Sequence, residues 1–251
     1  MINFSFAITV CNEADELKRL LIQLKKCIVA GDEVVIQVDQ NNTTEEVLKV
    51  VSDFEGVYSS SNSRSKKIIT PVTKLFVELK GVFSDFKNNL KKNWTKDWIF
   101  FIDADEEVNE DQINLIRQVV ELNSAWDCYL VPRINTVAGL TQEHIGKWGW
   151  RVDEKQRINF PDYQYRICQN KVEIRWVGAV HERLEGYSSM ALLPAEDVYA
   201  LGHHKTIQKQ EKQKATLIGI NSLAIKLLKW TPKKTVYDVV HEMILKKWVK
   251  F

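Results

Sequence analysis

A run of five apolar residues, from Trp98 to Ile102, ends abruptly in four acids within the next five positions, and this stretch constrains the fold most. A short continuous apolar run is typical of a strand buried on both faces, as in parallel sheets. The acids then lie at the carboxyl end of the strand, the edge at which open α/β sheets bind ligands. Asp103 and Asp105 can therefore reach one hard cation such as Mg²⁺ or Mn²⁺ together with its phosphate ligands.

A second interpretation places these acids in a solvated turn before a helix. Asn109 would be the N-cap, and acids are favoured in the first turn of a helix. This accounts well for the acids between positions 106 and 111. It accounts less well for Asp103, because Asp is a poor strand former directly after Phe and Ile.

The first half of the chain alternates between strand and helix patterns. Residues 4–10 form an apolar run that ends in Cys-Asn-Glu, and residues 34–38 form another that ends in Asp39. Each is followed by a segment with apolar residues at helical spacing. Strand–helix–strand–helix order predicts an α/β fold with a parallel, doubly wound sheet whose strand ends meet at one edge.

Composition excludes little. The chain has 251 residues, 45% hydrophobic and 27% charged, with a formal net charge of +2, so it neither requires nor excludes a polyanionic partner. Four scattered cysteines without CxxC spacing argue against a zinc finger and against a disulfide scaffold. Because we find neither a signal peptide nor an apolar run of about 20 residues, we expect a soluble, cytoplasmic protein without a transmembrane segment.

Two stretches show no clear periodicity. Residues 56–83 contain a serine-rich segment followed by the basic residues 64–67, which predicts an exposed loop; a phosphate or nucleic-acid contact is the alternative. Residues 135–162 are rich in glycine and tryptophan and form either a functional loop or an insertion. The sequence assigns a role to neither stretch.

The remainder predicts strands at 163–168, 172–176 and 198–201, followed by helices. We therefore expect a catalytic domain over residues 1–205 and a C-terminal helical extension, residues 206–251, packed on it. The extension is amphipathic and rich in lysine. Docking of this extension on a membrane surface or a partner is the alternative to packing on the domain.

These motifs together resemble the family 2 glycosyltransferases, whose nucleotide-sugar-binding fold is called GT-A. The resemblance covers roughly residues 3–215. Within the family, the chain resembles a subset that includes lipopolysaccharide-core and peptide glycosyltransferases. It implies a Rossmann-like, mostly parallel central sheet flanked by helices. The residues that carry it, in chain order, are Asn12-Glu13, Asp39, Asn88, Asp103-x-Asp105, His181-Glu182 and His203.

The resemblance implies transfer of a sugar, with inversion, from a nucleoside diphosphate sugar, expected to be a UDP sugar, to an acceptor hydroxyl. A Mn²⁺ or Mg²⁺ ion would neutralise the leaving diphosphate. Asp105 is then the direct metal ligand, Asp103 contacts the ribose or a metal-bound water, and His203 is the later ligand. Glu182 is the general base, with His181 beside it.

The resemblance also implies a nucleotide-sugar site built on strand ends. Arg166 either pairs with an acid of the motif or holds the acceptor, and a structural salt bridge is the alternative. Lys87 and Asn88 contact the diphosphate or brace the base pocket. The residues predicted for this site are Asn12, Glu13, Asp39, Lys87, Asn88, Asp103 and Arg166.

The sequence departs from the family in two places and leaves two other functions open. The loop after Asp39 is Gln-Asn-Asn-Thr-Thr, and Lys87 replaces the usual Arg, which keeps the charge but loses the bidentate fork. A nucleotidyltransferase would carry a glycine-rich loop after the first strand, which is absent here. A non-catalytic sugar-nucleotide or carbohydrate-binding protein remains open, as do the sugar, the acceptor (glycan, protein or modified nucleic-acid base) and the oligomeric state.

Overall fold

The structure is a computed structural model that describes residues 1–55, 58–59, 68–80, 82–178 and 182–215. Three predictions fall outside these residues: the basic segment 64–67, the position of His181, and the helices beyond residue 215. The predicted boundary between a catalytic domain and a helical extension therefore stays a prediction.

The described residues contain thirteen strands and five helices, and a helix that begins at residue 207 follows them. The helices are α1 (Ala14–Cys27), α2 (Glu45–Asp53), α3 (Phe83–Lys91), α4 (Glu110–Leu122) and α5 (Gln142–Trp148). The first seven strands are β1 (Phe4–Val10), β2 (Glu33–Asp39), β3 (Tyr58–Ser59), β4 (Ile68–Ile69), β5 (Val72–Val77), β6 (Trp98–Asp103) and β7 (Cys128–Val131). The other six are β8 (Arg133–Ala138), β9 (Gln164–Gln169), β10 (Arg175–Val177), β11 (Arg183–Glu185), β12 (Met190–Leu192) and β13 (Leu201–Thr206).

Seven strands form the central sheet in the order β12-β7-β9-β6-β1-β2-β5. Only β9 runs antiparallel to its neighbours in this sheet, so the sheet is mostly parallel. The predicted α/β fold of the GT-A type is confirmed. The carboxyl ends of β1, β2 and β6 lie at one edge, as the strand–helix order predicts.

Strand β6 lies in the middle of the sheet and is buried on both faces. Phe100 and Ile102 pack into the core under α1, α2 and α4, whereas Ile99 and Phe101 pack into the core under α3 and the β10–β11 hairpin. A strand with apolar contacts on both sides gains from every side chain it buries. This explains why the run is continuous rather than alternating.

A small parallel sheet of β8 and β13 covers the carboxyl edge. Its position is fixed by two backbone hydrogen bonds between Glu107, in the turn after β6, and Gly202 at the start of β13 (2.8 and 3.1 Å). The turn that carries the acids therefore lies directly against β13.

The strand predicted at residues 198–201 is wrong. Residues 197–199 form a 3₁₀ turn in which Val198 is 43% exposed, and the strand begins at Leu201 rather than ending there. The last four of the six residues of β13 are polar, so no apolar run marks it. The unassigned stretch 135–162 contains α5, and Asn135 lies within β8.

Helix caps follow the sequence more closely. Asn109 accepts a hydrogen bond from the backbone N–H of Gln112, whose side chain in turn accepts one from the N–H of Asn109. Thr44 caps α2 by accepting a hydrogen bond from the backbone N–H of Val47. No helix within the described ranges is both long enough and apolar enough to span a bilayer.

A buried ion pair anchors α4 to the start of the sheet. The Arg117 guanidinium donates to both carboxylate oxygens of Asp32 (3.0 and 2.8 Å) and to the carbonyl of Ile2 (2.7 Å). Arg117 and Asp32 are 3% and 1% exposed, so neither charge has water as an alternative partner.

We expect Arg117→Leu to lower the free energy of unfolding by about 3–5 kcal/mol, because it leaves the Asp32 carboxylate buried without its cation. Urea denaturation measures the change. Lys49→Leu is the control, because Lys49 pairs with Asp53 on the surface and such a pair contributes less than about 1 kcal/mol. Similar losses in both variants would show that the ion pair is unimportant.

Candidate active site

The end of β6 is held in place by its own acids. Asp103 lies opposite Thr9 of β1, and the Glu106 side chain folds back to accept a hydrogen bond from the backbone N–H of Asp103 (3.1 Å). Glu106 is 1% exposed. It is therefore part of the turn and not a ligand at the surface.

Arg166 neutralises this turn from the neighbouring strand β9. Its Nη2 lies 2.6 Å from the Asp103 carboxylate and also contacts Glu106, and its side chain is 2% exposed. Burial alone would raise the pKa of Asp103, but the charges of Arg166, Lys87 and Arg133 outweigh it and hold that pKa well below its usual range. Asp103 is thus a carboxylate at every physiological pH.

Lys87, on α3, connects Asp103 to Glu182. Its ammonium lies 3.6 Å from Oδ1 of Asp103, 2.8 Å from Oε1 of Glu182 and 4.6 Å from the centre of the Trp176 ring. Lys87 is 8% exposed, so water has little access to its ammonium group and salt weakens these contacts little. One cation therefore fixes the distance between the predicted base and the acidic strand end.

Asn88, the next residue of α3, has a different partner from Lys87. Its amide donates to the backbone carbonyl of Trp176 (2.8 Å) and accepts from the backbone N–H of the same residue (2.9 Å). Trp176 lies on β10, which pairs with β11, and Glu182 immediately precedes β11. Asn88 thus holds the hairpin that carries Glu182.

A cavity of about 540 Å³ opens between these residues, within the size range of small-molecule sites. Charged groups line one part of it and aromatic rings another. Its lining consists of Lys87, Asp103, Arg166, Glu182, Arg183, Gln164, Phe83, Tyr163, Tyr165 and Trp176.

Asp105 points away from this ion-paired group, towards β13. Its Oδ2 lies 3.3 Å from Nε2 of His203 and 3.9 Å from the ammonium groups of Lys205 and Lys209. Burial raises the pKa of Asp105, but hydrogen bonding and charge at His203, with the charge of Lys205, lower it to about 2. The two acids of the motif therefore have separate sets of partners.

The chemistry of this pair fits a divalent cation. A carboxylate oxygen and an imidazole nitrogen 3.3 Å apart are close to the spacing of about 3 Å between neighbouring ligands of an octahedral ion. Within the described ranges no group of three or more His, Cys, Asp or Glu side chains converges, and Asp103 faces Arg166. Two protein ligands suit an ion that takes its other ligands from substrate phosphates and water.

The residues predicted for the nucleoside lie at the ends of β1 and β2. Glu13 accepts hydrogen bonds from the backbone N–H groups of Cys11 and Asn12 (both 3.0 Å), so its carboxylate shapes the turn. Asp39 is 2% exposed and accepts from the Asn42 side chain (2.7 Å). Asn12 is exposed.

The sequence did not single out the partners of His203. Asn135 lies beside it on β8, and Asp162 and Arg133 lie behind Asn135. Only the register of β8 with β13 brings them together, and no spacing encodes it. Lys205 was detectable, because His203 and Lys205 are two positions apart and share a face of β13.

No protein-family model matches the chain, and no curated protein matches it in sequence. Solved structures of Staphylococcus aureus TarS are similar to it. For the fragment 1–349 the TM-score is 0.52, at 15% identity over 97% of this chain and 69% of the fragment. For that fragment in complex with UDP-GlcNAc it is 0.54, also at 15% identity, over 98% and 71%.

The fragment in complex with UDP gives a TM-score of 0.51, and the chain covers 43% of the longer TarS structure. At this level of identity the similarity establishes the fold.

We expect Arg166→Met to lower the free energy of unfolding by about 3–5 kcal/mol near pH 7, because the buried Glu106 and the half-buried Asp103 lose their shared cation. The loss should shrink as the pH falls below about 4. In the wild type the pKa of Asp103 is lower in the folded than in the unfolded protein. Its ionisation therefore stabilises the fold fully above the unfolded pKa, and this stabilisation is lost as the pH falls from there towards the folded pKa.

Urea denaturation of wild type and variant between about pH 7 and pH 3 measures this difference. Lys155→Met, which breaks the exposed pair with Asp197, is the control and should change stability by less than about 1 kcal/mol. A difference for Arg166→Met that does not vary with pH would contradict the assigned ion pair.

Proposed function

We propose that the chain is an inverting, metal-dependent glycosyltransferase that transfers a sugar from a UDP sugar to an acceptor hydroxyl. The observation that carries this proposal is the shared cavity of Asp103 and Glu182, with the Asp105–His203 pair at the same edge. TarS, which has a similar fold, has been solved with UDP and with UDP-GlcNAc, and this supports a nucleotide-sugar donor.

The leaving diphosphate requires positive charge. Asp105 and His203 would hold Mn²⁺ or Mg²⁺, which supplies electrostatic stabilisation of the leaving group. Lys205 and Lys209 add two ammonium groups on the same side of Asp105. They suit the terminal oxygens of a diphosphate that approaches Asp105 from β13.

The acceptor hydroxyl requires a base. Glu182 lines the cavity, and its carboxylate is held by Lys87 at 2.8 Å. It takes the hydroxyl proton as the oxygen attacks the anomeric carbon from the face opposite the diphosphate, which inverts that carbon. Lys87 orients the carboxylate and balances the charge of Asp103.

The aromatic part of the cavity supports a sugar as the group that binds there. Tyr163, Tyr165 and Trp176 present apolar faces with polar edges, a combination that suits the faces and hydroxyls of a pyranose ring. Glycan, protein and modified nucleic-acid acceptors all present a hydroxyl that this arrangement could activate.

Cytoplasmic location and peripheral membrane contact stay predictions from the sequence.

We expect the wild type to bind a UDP sugar in the presence of Mn²⁺, and Asp105→Asn to weaken binding about tenfold or more, because a carboxylate ligand is lost. Isothermal titration calorimetry with UDP, UDP-GlcNAc and UDP-glucose measures both. Asp111→Asn, an exposed acid in the first turn of α4, is the control. Equal affinities in wild type and Asp105→Asn would refute the donor site.

We expect Glu182→Gln to reduce transfer by about 10²–10⁴-fold and to leave UDP affinity within about twofold, because the amide keeps the shape of the side chain but cannot accept the proton. Mass spectrometry of candidate acceptors incubated with the sugar nucleotides detects transfer. Glu185→Gln, three positions further on and paired with Arg183 at the surface, is the matched control. Full activity of Glu182→Gln would assign the base elsewhere.

A further inference from the structure

Two histidines on β13 face two different partners on β8. In the parallel register, Asn135 is opposite His203 and Thr136 is opposite His204. Nδ1 of His203 lies 2.6 Å from Oδ1 of Asn135, and Nδ1 of His204 lies 2.6 Å from Oγ1 of Thr136. The contact between His203 and Asn135 is part-buried, whereas the contact between His204 and Thr136 is exposed.

The orientation of the Asn135 amide is fixed by its other neighbour. Its Nδ2 lies 2.8 Å from Oδ2 of Asp162. That same carboxylate oxygen accepts two hydrogen bonds from Arg133 (2.7 and 3.0 Å). Although burial raises the pKa of Asp162, Arg133 and Asn135 hold it below the ordinary value, so Asp162 only accepts hydrogen bonds. The Asn135 nitrogen must therefore face Asp162, and its oxygen must face His203.

This orientation decides which nitrogen of His203 carries the proton. An amide oxygen can only accept, so Nδ1 of His203 must donate. In the neutral imidazole the lone pair is then on Nε2, the atom that lies 3.3 Å from the Asp105 carboxylate. A neutral His203 and the Asp105 carboxylate would then face each other as two acceptors, which repel unless a proton on Nε2 or a bound cation lies between them.

We propose that Asn135 and Asp162 are positioning residues, which hold His203 in the tautomer whose Nε2 lone pair points to Asp105 and so preset a site for a divalent cation. The cation itself rests on the proposed function. The tautomer does not, because the hydrogen bonds that fix it join protein side chains only. Partners of this kind orient histidine ligands and raise their affinity for metals.

The first experiment reads the tautomer without metal. Long-range ¹H–¹⁵N NMR at about pH 8, where an ordinary imidazole is neutral, distinguishes Nδ1–H from Nε2–H. His203→Gln assigns the signal among the five histidines. We expect Nδ1–H in the wild type and a loss of this preference in Asn135→Leu. A His203 ring that carries Nε2–H without Nδ1–H would overturn the proposal.

The second experiment measures Mn²⁺ affinity by calorimetry. We expect Asn135→Leu to weaken binding about 10–100-fold, the usual effect of losing a partner that orients a ligand. Thr136→Val, the matched control, removes the neighbouring hydrogen bond to His204 and should leave both affinity and the His203 signal unchanged. Unchanged affinity in Asn135→Leu would overturn the positioning role.

The two measurements separate two failures. If the wild type binds no Mn²⁺ but shows the Nδ1–H tautomer, the cation site of the proposed function is refuted, while the role of Asn135 in fixing His203 stands. If the wild type binds Mn²⁺ and Asn135→Leu leaves the tautomer intact, the proposed function stands and the inference fails.

Discussion

The site depends on the neutralisation of two carboxylates, Asp103 and Glu106, at the end of the central strand. β6 must be apolar to lie inside the sheet, yet it ends in Asp103, which is half-buried at the cavity, and is followed by Glu106, which is fully buried. Two carboxylates in such a place require a cation of fixed geometry, because an uncompensated buried charge costs several kcal/mol. Arg166 supplies it from β9, the one strand of the central sheet that runs the other way.

Once Asp103 is held in this way, the surrounding residues have separate tasks. Lys87 joins Asp103 to Glu182 across the cavity, and Asn88 fixes the backbone of the hairpin behind Glu182. One turn of α3 thus sets both ends of the proposed transfer site. Asp105 is left to face β13, where histidine and lysine side chains surround it. Asp103 and Asp105 therefore have different roles, although they are only two positions apart in the sequence, and their spacing does not reveal this.

The sequence was most informative where local physics decides the structure. Continuous apolar runs marked β1, β2 and β6, and the Asn109 cap is a local hydrogen-bond pattern that any chain with those residues can form. It failed at β13 and was silent on β5. β5 is a half-buried edge strand and β13 a short polar one, so neither buries enough apolar surface to leave a period in the sequence.

Contacts within the site were harder to predict than its members. Lys87 and Glu182 were singled out separately, but their ion pair joins residues far apart in the chain, and only the packing of the hairpin on α3 brings them together. Asn135 and His203 are 68 positions apart. Strand register determines that contact, and register depends on the whole small sheet rather than on either residue.

The ladder between β8 and β13 limits how such a chain can change during evolution. Asn135 meets His203 only while both strands keep the same residue count from Pro132 and Leu201, where their pairing begins. A single insertion or deletion within either strand would exchange the partners of the two histidines and turn side chains to the opposite face. The connection between the two strands also contains β9 with Arg166 and the β10–β11 hairpin next to Glu182, so only its loops carry no such restriction. Length variation in homologues should therefore accumulate in those loops, while β8 and β13, six residues each, stay constant in length.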